Sequence, residues 1–220
     1  MDRTSREPTS QAVRTAGSGC LLRFFLPPVS VLVMGTVLAL FLSQIQFDIA
    51  ETAPSPAQPQ KEAGLAPLFT PEVLAWEEKI LRWSERYQLD PNLVATVMQI
   101  ESCGWQDARS SAGAAGLFQV MPYHFSPGED PFHPGTNARR GLSYLRQALE
   151  SGGSVRLALA GYNGGIQGAQ RPESQWPAET KRYLYWGMGI YRDARSGEAV
   201  SPRLEEWLAS GGHTLCRQAR

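Results

Sequence analysis

The chain has 220 residues, 42% of them hydrophobic and 19% charged, which is enough for one globular domain with extensions or for two small domains. Its 21 Lys and Arg residues balance 21 Asp and Glu residues, which argues against a nucleic-acid-binding surface of the usual basic kind. The 3 cysteines and 3 histidines match no metal-site spacing, so no metal is expected.

The first predicted element is a membrane-spanning helix. Residues 24–42 (FFLPPVSVLVMGTVLALFL) carry no charge and are about long enough to cross the apolar core of a bilayer, which needs roughly 20 residues. Arginines are concentrated in the preceding residues 1–23, and the next basic residue after the apolar run is Lys61. The positive-inside rule therefore predicts a cytoplasmic N-terminal segment and places the rest of the chain on the other side.

Two other interpretations of this apolar run compete with the anchor. A buried core helix is disfavoured by the uncharged run and the one-sided arginines. A cleaved signal peptide remains open, although the long leading region and the lack of an A-x-A site directly after Leu42 favour an uncleaved anchor.

Residues 43–69 are predicted to be a linker, since proline, alanine and glutamine dominate and no apolar periodicity is present. Residues 70–215 are predicted to form a single compact all-α domain. Its helices are marked by capping residues and by prolines at first helical positions. The predicted starts are Thr70-Pro71, Asp90-Pro91, Asn137, Ser154, Pro177 and Pro202. No alternating strand pattern is evident, although a minor β element is not ruled out.

Glu101 ends the helix that begins at Asp90-Pro91. It lies on the same face as Leu93 and Val97 at i+4 spacing, so it continues an apolar surface. Both burial and the negative end of the helix dipole disfavour its ionised form. One interpretation is a catalytic acid. The other is a structural carboxylate paired with an arginine, such as Arg82, Arg109 or Arg139.

Two glycine-rich stretches follow. SSAGAAGLFQV, residues 110–120, is too rich in small residues to build a core and is typical of a turn where backbone approaches a ligand. Its Gln119 can both donate and accept hydrogen bonds, as sugar hydroxyls and N-acetyl groups require. AGYNGG, residues 160–165, puts Tyr162 and Asn163 at a helix end. Taken singly, these two are more often a packed aromatic and a turn former.

Together these motifs resemble the transglycosylase SLT family, which belongs to the lysozyme superfamily and is similar to goose-type lysozyme. The match runs without a gap through ESCGWQDARSSAGAAGLFQVMP and continues through NARRGLSYL, AGYNGG and ETKRYL. It covers roughly residues 72–192. The resemblance implies a lysozyme-like, mostly α-helical fold.

The resemblance also assigns roles to individual residues. Glu101 matches the catalytic acid and base of the family. The expected substrate-binding positions are Ser102, Ser110, Phe118, Gln119, Tyr162, Asn163, Glu179 and Tyr183. Asn137 and Gly141 match helix positions that are expected to be structural. No second carboxylate stands out: Asp107, Glu129, Asp130 and Glu173 are interpreted as solvated loop charges.

The chain departs from the family pattern at several positions. Phe118 replaces a usual methionine, so one wall of the glycan cleft is expected to differ, and Gly161 and Gly164 replace usual alanines, which would loosen that turn. Cys103 directly follows the Glu-Ser pair. A disulfide with Cys216 and a free buried thiol are both consistent with the sequence.

The resemblance implies a lytic transglycosylase that cleaves the β-1,4 bond between N-acetylmuramic acid and N-acetylglucosamine, yields 1,6-anhydromuramoyl products and needs no cofactor. With the predicted anchor, it implies a single-pass protein of the bacterial inner membrane whose domain faces the periplasm. Its expected partners are peptidoglycan strands, the membrane and envelope-complex proteins. A hydrolytic muramidase and a catalytically silent peptidoglycan-binding module are the alternatives.

Overall fold

The structure is a computed structural model that describes residues 64–220. The predicted anchor at 24–42 and most of the predicted linker lie outside these residues. Within residues 64–220, no helix combines the length and apolar character needed to cross a bilayer.

The described region is helical, as predicted. Its α-helices are α1 (Pro71–Leu74), α2 (Glu77–Tyr87), α3 (Pro91–Glu101), α4 (Pro134–Gly152), α5 (Val155–Gly164), α6 (Ile166–Ala169), α7 (Ala178–Ser196), α8 (Pro202–Trp207) and α9 (His213–Gln218). Short 3-10 turns occupy Pro122–His124 and Glu173–Gln175, and a π-helical turn, Leu208–Gly212, joins α8 to α9. Between α3 and α4, two isolated β-bridges join Ala115 to Arg109 and to Val120.

Local sequence explains most helix starts. The Asp90 carboxylate accepts a hydrogen bond from the Asn92 amide at 2.8 Å and caps α3, and Ser154 caps α5 in the same way. The predicted start of α4 at Asn137 is wrong, because the helix begins at Pro134. There the His133 ring nitrogen accepts from the Thr136 amide at 3.3 Å, so histidine takes the place of a usual capping residue.

The core lies between α3, α4, α5 and α7, with α5 packed against both α4 and α7. Its largest fully buried aliphatic side chains include Leu93, Met98, Leu142, Leu145, Leu159 and Ile190. Burial of this kind stabilises a fold by roughly 1.5–3 kcal/mol for each large side chain. The core holds the C-terminal end of α3, where Glu101 lies, against the middle of the molecule.

The packed region extends beyond the predicted bounds of 70–215. Leu68 and Phe69, which fall within the predicted linker, are buried, and the Ala66 amide donates to the Asn92 side chain at 2.9 Å. At the other end, the Arg220 guanidinium lies 2.8 Å from the Glu72 carboxylate. Proline-rich composition hid the apolar residues that close this side of the core.

Cys103 and Cys216 form a disulfide, with their Cα atoms 5.0 Å apart and a sequence separation of 113 residues. This decides between the two states that the sequence left open for Cys103. The bond joins the loop after α3 to α9.

Candidate functional site

Glu101 is the last residue of α3, as predicted, and is partly buried. In the part of the chain that the structure describes, no ion pair involves it. Of the arginines considered as partners, Arg82 and Arg139 pair with other carboxylates, and Arg109 lies 5.1 Å from the ring centre of Phe132. The structural interpretation of Glu101 as one half of a salt bridge is therefore wrong.

A cleft of about 230 Å³ opens beside Glu101. Residues from α3, α5, α7 and α8 line it together with Glu101: Ile100, Asn163, Glu179, Arg182, Tyr183, Trp186 and Trp207. The lining combines aromatic side chains with a few polar and charged ones, which is usual for a small-ligand site.

The surroundings of Glu101 keep its carboxyl group protonated. Burial raises its pKa from the ordinary 4.5 to about 8. The nearby Tyr183 hydroxyl acts in the opposite direction, and the negative charge of Glu179 adds to the rise. Burial, followed by the charge of Glu101, raises the pKa of the Tyr162 and Tyr183 hydroxyls well above their ordinary value. At neutral pH the cleft thus holds a carboxylic acid beside the neutral phenol of Tyr183, and the neutral phenol of Tyr162 lies in the adjoining second cleft.

Two polar groups in this cleft lack partners. The Tyr183 hydroxyl and the Trp186 indole nitrogen are shielded from solvent, and neither makes a hydrogen bond of ordinary length within residues 64–220. Leaving a buried donor unpaired typically costs about 1–3 kcal/mol. The Tyr183 hydroxyl lies beside the Glu101 carboxyl group and acts on its pKa, so any ligand bound there would compete with that contact.

A second cleft adjoins the first through Asn163, which lines both. Its other residues are Gln119, Val120, Met121, Tyr123, His124, Arg140, Gly141, Tyr144, Tyr162 and Gly165. The Asn163 side-chain oxygen accepts a hydrogen bond from the Thr180 hydroxyl at 2.9 Å. This hydrogen bond holds Asn163 in place where the two clefts meet. The two clefts therefore share one lining residue.

The small-residue turn after α3 positions Gln119. This residue adopts a left-handed backbone conformation with φ of 44°, and its amide nitrogen donates to the carbonyl oxygens of Ala108 and Gly116 at 3.1 and 3.0 Å. The Ser110 hydroxyl accepts from the Ala114 amide at 3.0 Å and closes the preceding turn. Gln119 thus reaches the second cleft with its donor group already satisfied, which leaves its carbonyl for a ligand.

The structure places Ser102, Ser110 and Phe118 among the lining residues of neither cleft. Ser102 is fully buried, and its hydroxyl donates to the Leu117 carbonyl at 2.8 Å. The Phe118 ring is also fully buried and lies edge-on to Trp83, with ring centres 5.9 Å apart. Its aromatic ring therefore fills the core instead of forming the expected cleft wall. Its backbone carbonyl still contributes, because it accepts the Tyr162 hydroxyl at 2.6 Å.

Asn137 and Gly141 are structural, as expected. The Asn137 side chain accepts from the Phe118 amide at 2.8 Å and donates to the Ala115 carbonyl at 2.7 Å. A β-carbon at Gly141 would lie 2.6 Å from the Phe118 β-carbon and 3.0 Å from the Tyr162 hydroxyl. Both residues hold the turn that carries Gln119 against α4.

The transglycosylase SLT domain family matches residues 78–185, which include Glu101 and most of both clefts. Residues 78–185 are therefore identified as a transglycosylase SLT domain. A curated relative, the transglycosylase of Enterobacteria phage PRD1, is 40% identical over 112 residues, which are 50% of this chain and 40% of the relative. The chain therefore spans less than half the length of that protein.

A solved structure, an inactive mutant of the lytic transglycosylase Slt from Pseudomonas aeruginosa, matches with a TM-score of 0.45 and 23% identity. The match covers 57% of this chain and 25% of that one.

Of the site residues predicted for the SLT domain, Glu101, Asn163, Glu179 and Tyr183 meet in the first cleft, and Gln119 and Tyr162 line the second. The sequence did not single out Arg182, Trp186 and Trp207. Arg182 follows Glu179 and Trp186 follows Tyr183 at i+3 spacing, so the face of α7 offered a signal for them. Trp207 lies beyond the matched residues and offered none.

The loop acids are also more engaged than expected. Glu129 is ion-paired with Arg140 and Arg139. The hydrogen bond from Arg140, together with the one from the Ser126 amide, lowers the pKa of Glu129 to about 2. Glu173 pairs with Arg156 at 2.6 Å. Glu173 is an exposed loop charge, as predicted, whereas Glu129 is only partly exposed and is held by two arginines.

Proposed function

We propose that the chain is a membrane-anchored lytic transglycosylase that cleaves peptidoglycan between N-acetylmuramic acid and N-acetylglucosamine. The observation that carries this proposal is the state of Glu101: a carboxyl group with no ion-pair partner and a raised pKa, in the first of two adjoining clefts of an SLT domain. A general acid needs to hold its proton near the working pH, and Glu101 meets that requirement.

In the proposed reaction, Glu101 first donates its proton to the glycosidic oxygen, and the bond from that oxygen to the anomeric carbon of the muramic acid breaks. The substrate's own N-acetyl group stabilises the positive charge that develops there. The Glu101 carboxylate then takes the proton of the muramoyl 6-hydroxyl, whose oxygen bonds to the anomeric carbon and closes a 1,6-anhydro ring. The carboxyl group is thereby restored and no water is consumed. Because the attacking hydroxyl belongs to the same sugar, the step gains a large effective concentration.

Other residues of the cleft support this sequence. The neutral Tyr183 hydroxyl and the Trp186 indole nitrogen are the proposed donors to sugar oxygens. Asn163 and Gln119 supply further polar groups along the adjoining cleft. The aromatic walls provide flat surfaces of the kind on which saccharide rings pack.

A hydrolytic muramidase is the second candidate, because Glu179 lines the same cleft as Glu101. Two carboxylates beside one glycosidic bond are the usual arrangement for hydrolysis, in which the second activates water. In that case the product would carry a reducing end instead of an anhydro ring.

The proposed location is the extracytoplasmic face of the inner membrane. The Cys103–Cys216 disulfide supports it, since such bonds persist in oxidising compartments. The uncharged run at 24–42 supports the anchor. Envelope-complex proteins are the proposed protein partners.

Digestion of purified peptidoglycan followed by mass spectrometry tests the proposal. Products lighter by one water than the hydrolysed muropeptides are expected. Reducing-end products would instead favour the muramidase. Binding to peptidoglycan with no soluble product would favour a silent module and overturn both enzymatic proposals.

A further inference from the structure

The C-terminal segment, residues 201–220, lies beyond the residues matched by the family, yet it contributes to the Glu101 cleft. It comprises α8, the π-helical turn and α9. Trp207, the last residue of α8, lines the cleft and keeps only 6% of its surface exposed. The family motifs therefore account for only part of the wall around Glu101.

One side of the C-terminal segment is fastened to α7. The Ser201 hydroxyl donates to the Asp193 carboxylate. The Arg203 guanidinium lies 3.6 Å from the ring centre of Tyr185. The aliphatic part of the Arg203 side chain packs directly on Gly189. A β-carbon at Gly189 would lie only 2.4 Å from the Arg203 γ-carbon. This side of the segment thus follows the helix that carries Glu179, Tyr183 and Trp186.

The other side is fastened to the elements around the end of α3. The Cys216 disulfide reaches Cys103, two residues after Glu101. The Arg220 guanidinium pairs with Glu72 on α1 at 2.8 Å. The C-terminal segment therefore connects α7 with the end of α3, and both of these elements line the cleft.

Close packing of Gly212 against the Trp207 ring fixes the orientation of the ring. A β-carbon at Gly212 would lie 2.4 to 2.8 Å from three atoms of the ring, so only glycine lets the π-helical turn close on it. Because Gly212 precedes α9, and α9 holds Cys216, the disulfide fastens the same short stretch that supports the indole.

We propose that Trp207 is a positioning residue for Glu101: the disulfide-fastened C-terminal segment holds its indole as an apolar wall that excludes water from the carboxyl group. The consequence for catalysis rests on the function proposed above, whereas the exclusion of water does not. The wall gives the Cys103–Cys216 bond a role at the site, since loss of the bond frees the stretch that supports the ring.

Charged and titratable groups reach Glu101 from other elements as well. Glu179, Arg182 and Tyr183 line the cleft from α7, and Tyr162 on α5 is near enough for the charge of Glu101 to raise its pKa. The lining residue from α8 is the uncharged Trp207. A substitution at Trp207 therefore changes the access of water to the cleft without adding or removing a charge.

Direct titration of Glu101 tests the proposal without any need for activity. The full chain, kept in solution with a mild detergent, is labelled at the glutamate side-chain carboxyl carbons and titrated by NMR. The Glu101 signal is the one missing from the Glu101→Gln variant. We expect Trp207→Ala and Cys216→Ala each to lower the pKa of Glu101 by about one pH unit or more, and Trp207→Phe to restore most of the wild-type value.

Trp176→Ala is the matched control, because Trp176 is equally buried but does not line the Glu101 cleft. An unchanged Glu101 titration in both Trp207→Ala and Cys216→Ala would overturn the proposal, as would an equal shift in Trp176→Ala. If Trp207→Ala does not fold, Cys216→Ala, which keeps the indole, decides the matter alone. Should the shifts occur while wild-type protein yields no anhydro products, only the proposed function fails.

Discussion

We expect the Glu101→Gln variant to be more stable than the wild-type protein at neutral pH. Burial raises the folded-state pKa of Glu101 from the ordinary 4.5 to about 8. A group with a raised folded pKa contributes full stability below its unfolded pKa and loses that contribution as the pH rises through the folded pKa. Glutamine has nearly the same shape but does not ionise, so the variant escapes this loss.

The size of the effect follows from the two pKa values. Each pH unit between 4.5 and about 8 corresponds to about 1.4 kcal/mol. Above pH 8 the difference in unfolding free energy is therefore on the order of 5 kcal/mol, and at pH 7 it is about 3 kcal/mol. Near pH 4 both proteins hold a neutral side chain at this position, and their stabilities are expected to agree within about 0.5 kcal/mol.

Urea denaturation of both proteins at several pH values between 4 and 9 measures this difference. The wild-type unfolding free energy is expected to fall between pH 5 and 8 relative to that of Glu101→Gln, and to run parallel to it above pH 8. Parallel curves over the whole range would refute the argument, because Glu101 would then ionise as readily in the folded protein as in the unfolded chain.

Three further substitutions have expected outcomes. Gly164→Ala places a β-carbon 2.7 Å from the Thr180 hydroxyl that holds Asn163, so turnover of peptidoglycan is expected to fall by roughly tenfold or more. Gly161→Ala is its control, because the nearest atom to the added β-carbon is at an ordinary 3.4 Å. Turnover is expected to stay unchanged there, with up to about 1 kcal/mol of added stability. Tyr162→Phe leaves the Phe118 carbonyl without its donor and is expected to cost about 1–3 kcal/mol in urea denaturation; a neutral effect would contradict the importance of that bond. Glu129→Gln is expected to lower the unfolding temperature at pH 7 but not near pH 2. The lowered pKa of Glu129 makes its contribution to stability present above about pH 4.5 and lost as the pH falls through about 2. An equal loss at both pH values would exclude the ion pair as its cause.

Local rules predicted the helices and the position of Glu101 well. Asp90, Ser154 and Pro177 mark helix starts at the expected places, and the apolar face of α3 leads to Glu101. These features depend on residues close together in the sequence, whose preferences act before any tertiary contact forms.

Features set by distant residues were harder to predict. Phe118 follows a glycine-rich turn and was expected in the cleft, but its contact with Trp83 on α2 draws it into the core. Pairing of Cys103 with Cys216 joins residues at a sequence separation of 113. Trp207 reaches the site only because α8 folds back along α7. No local pattern specifies such contacts.

The central claim, that Glu101 alone is the acid and base, is tested most directly by comparing Glu101→Gln with Glu179→Gln. Both residues line the same cleft, and each substitution removes one carboxylate from it. Release of anhydromuropeptides from purified peptidoglycan is measured for wild-type protein and for both folded variants. The account predicts that Glu101→Gln releases none and Glu179→Gln retains release. Comparable release by wild-type protein and Glu101→Gln would contradict it.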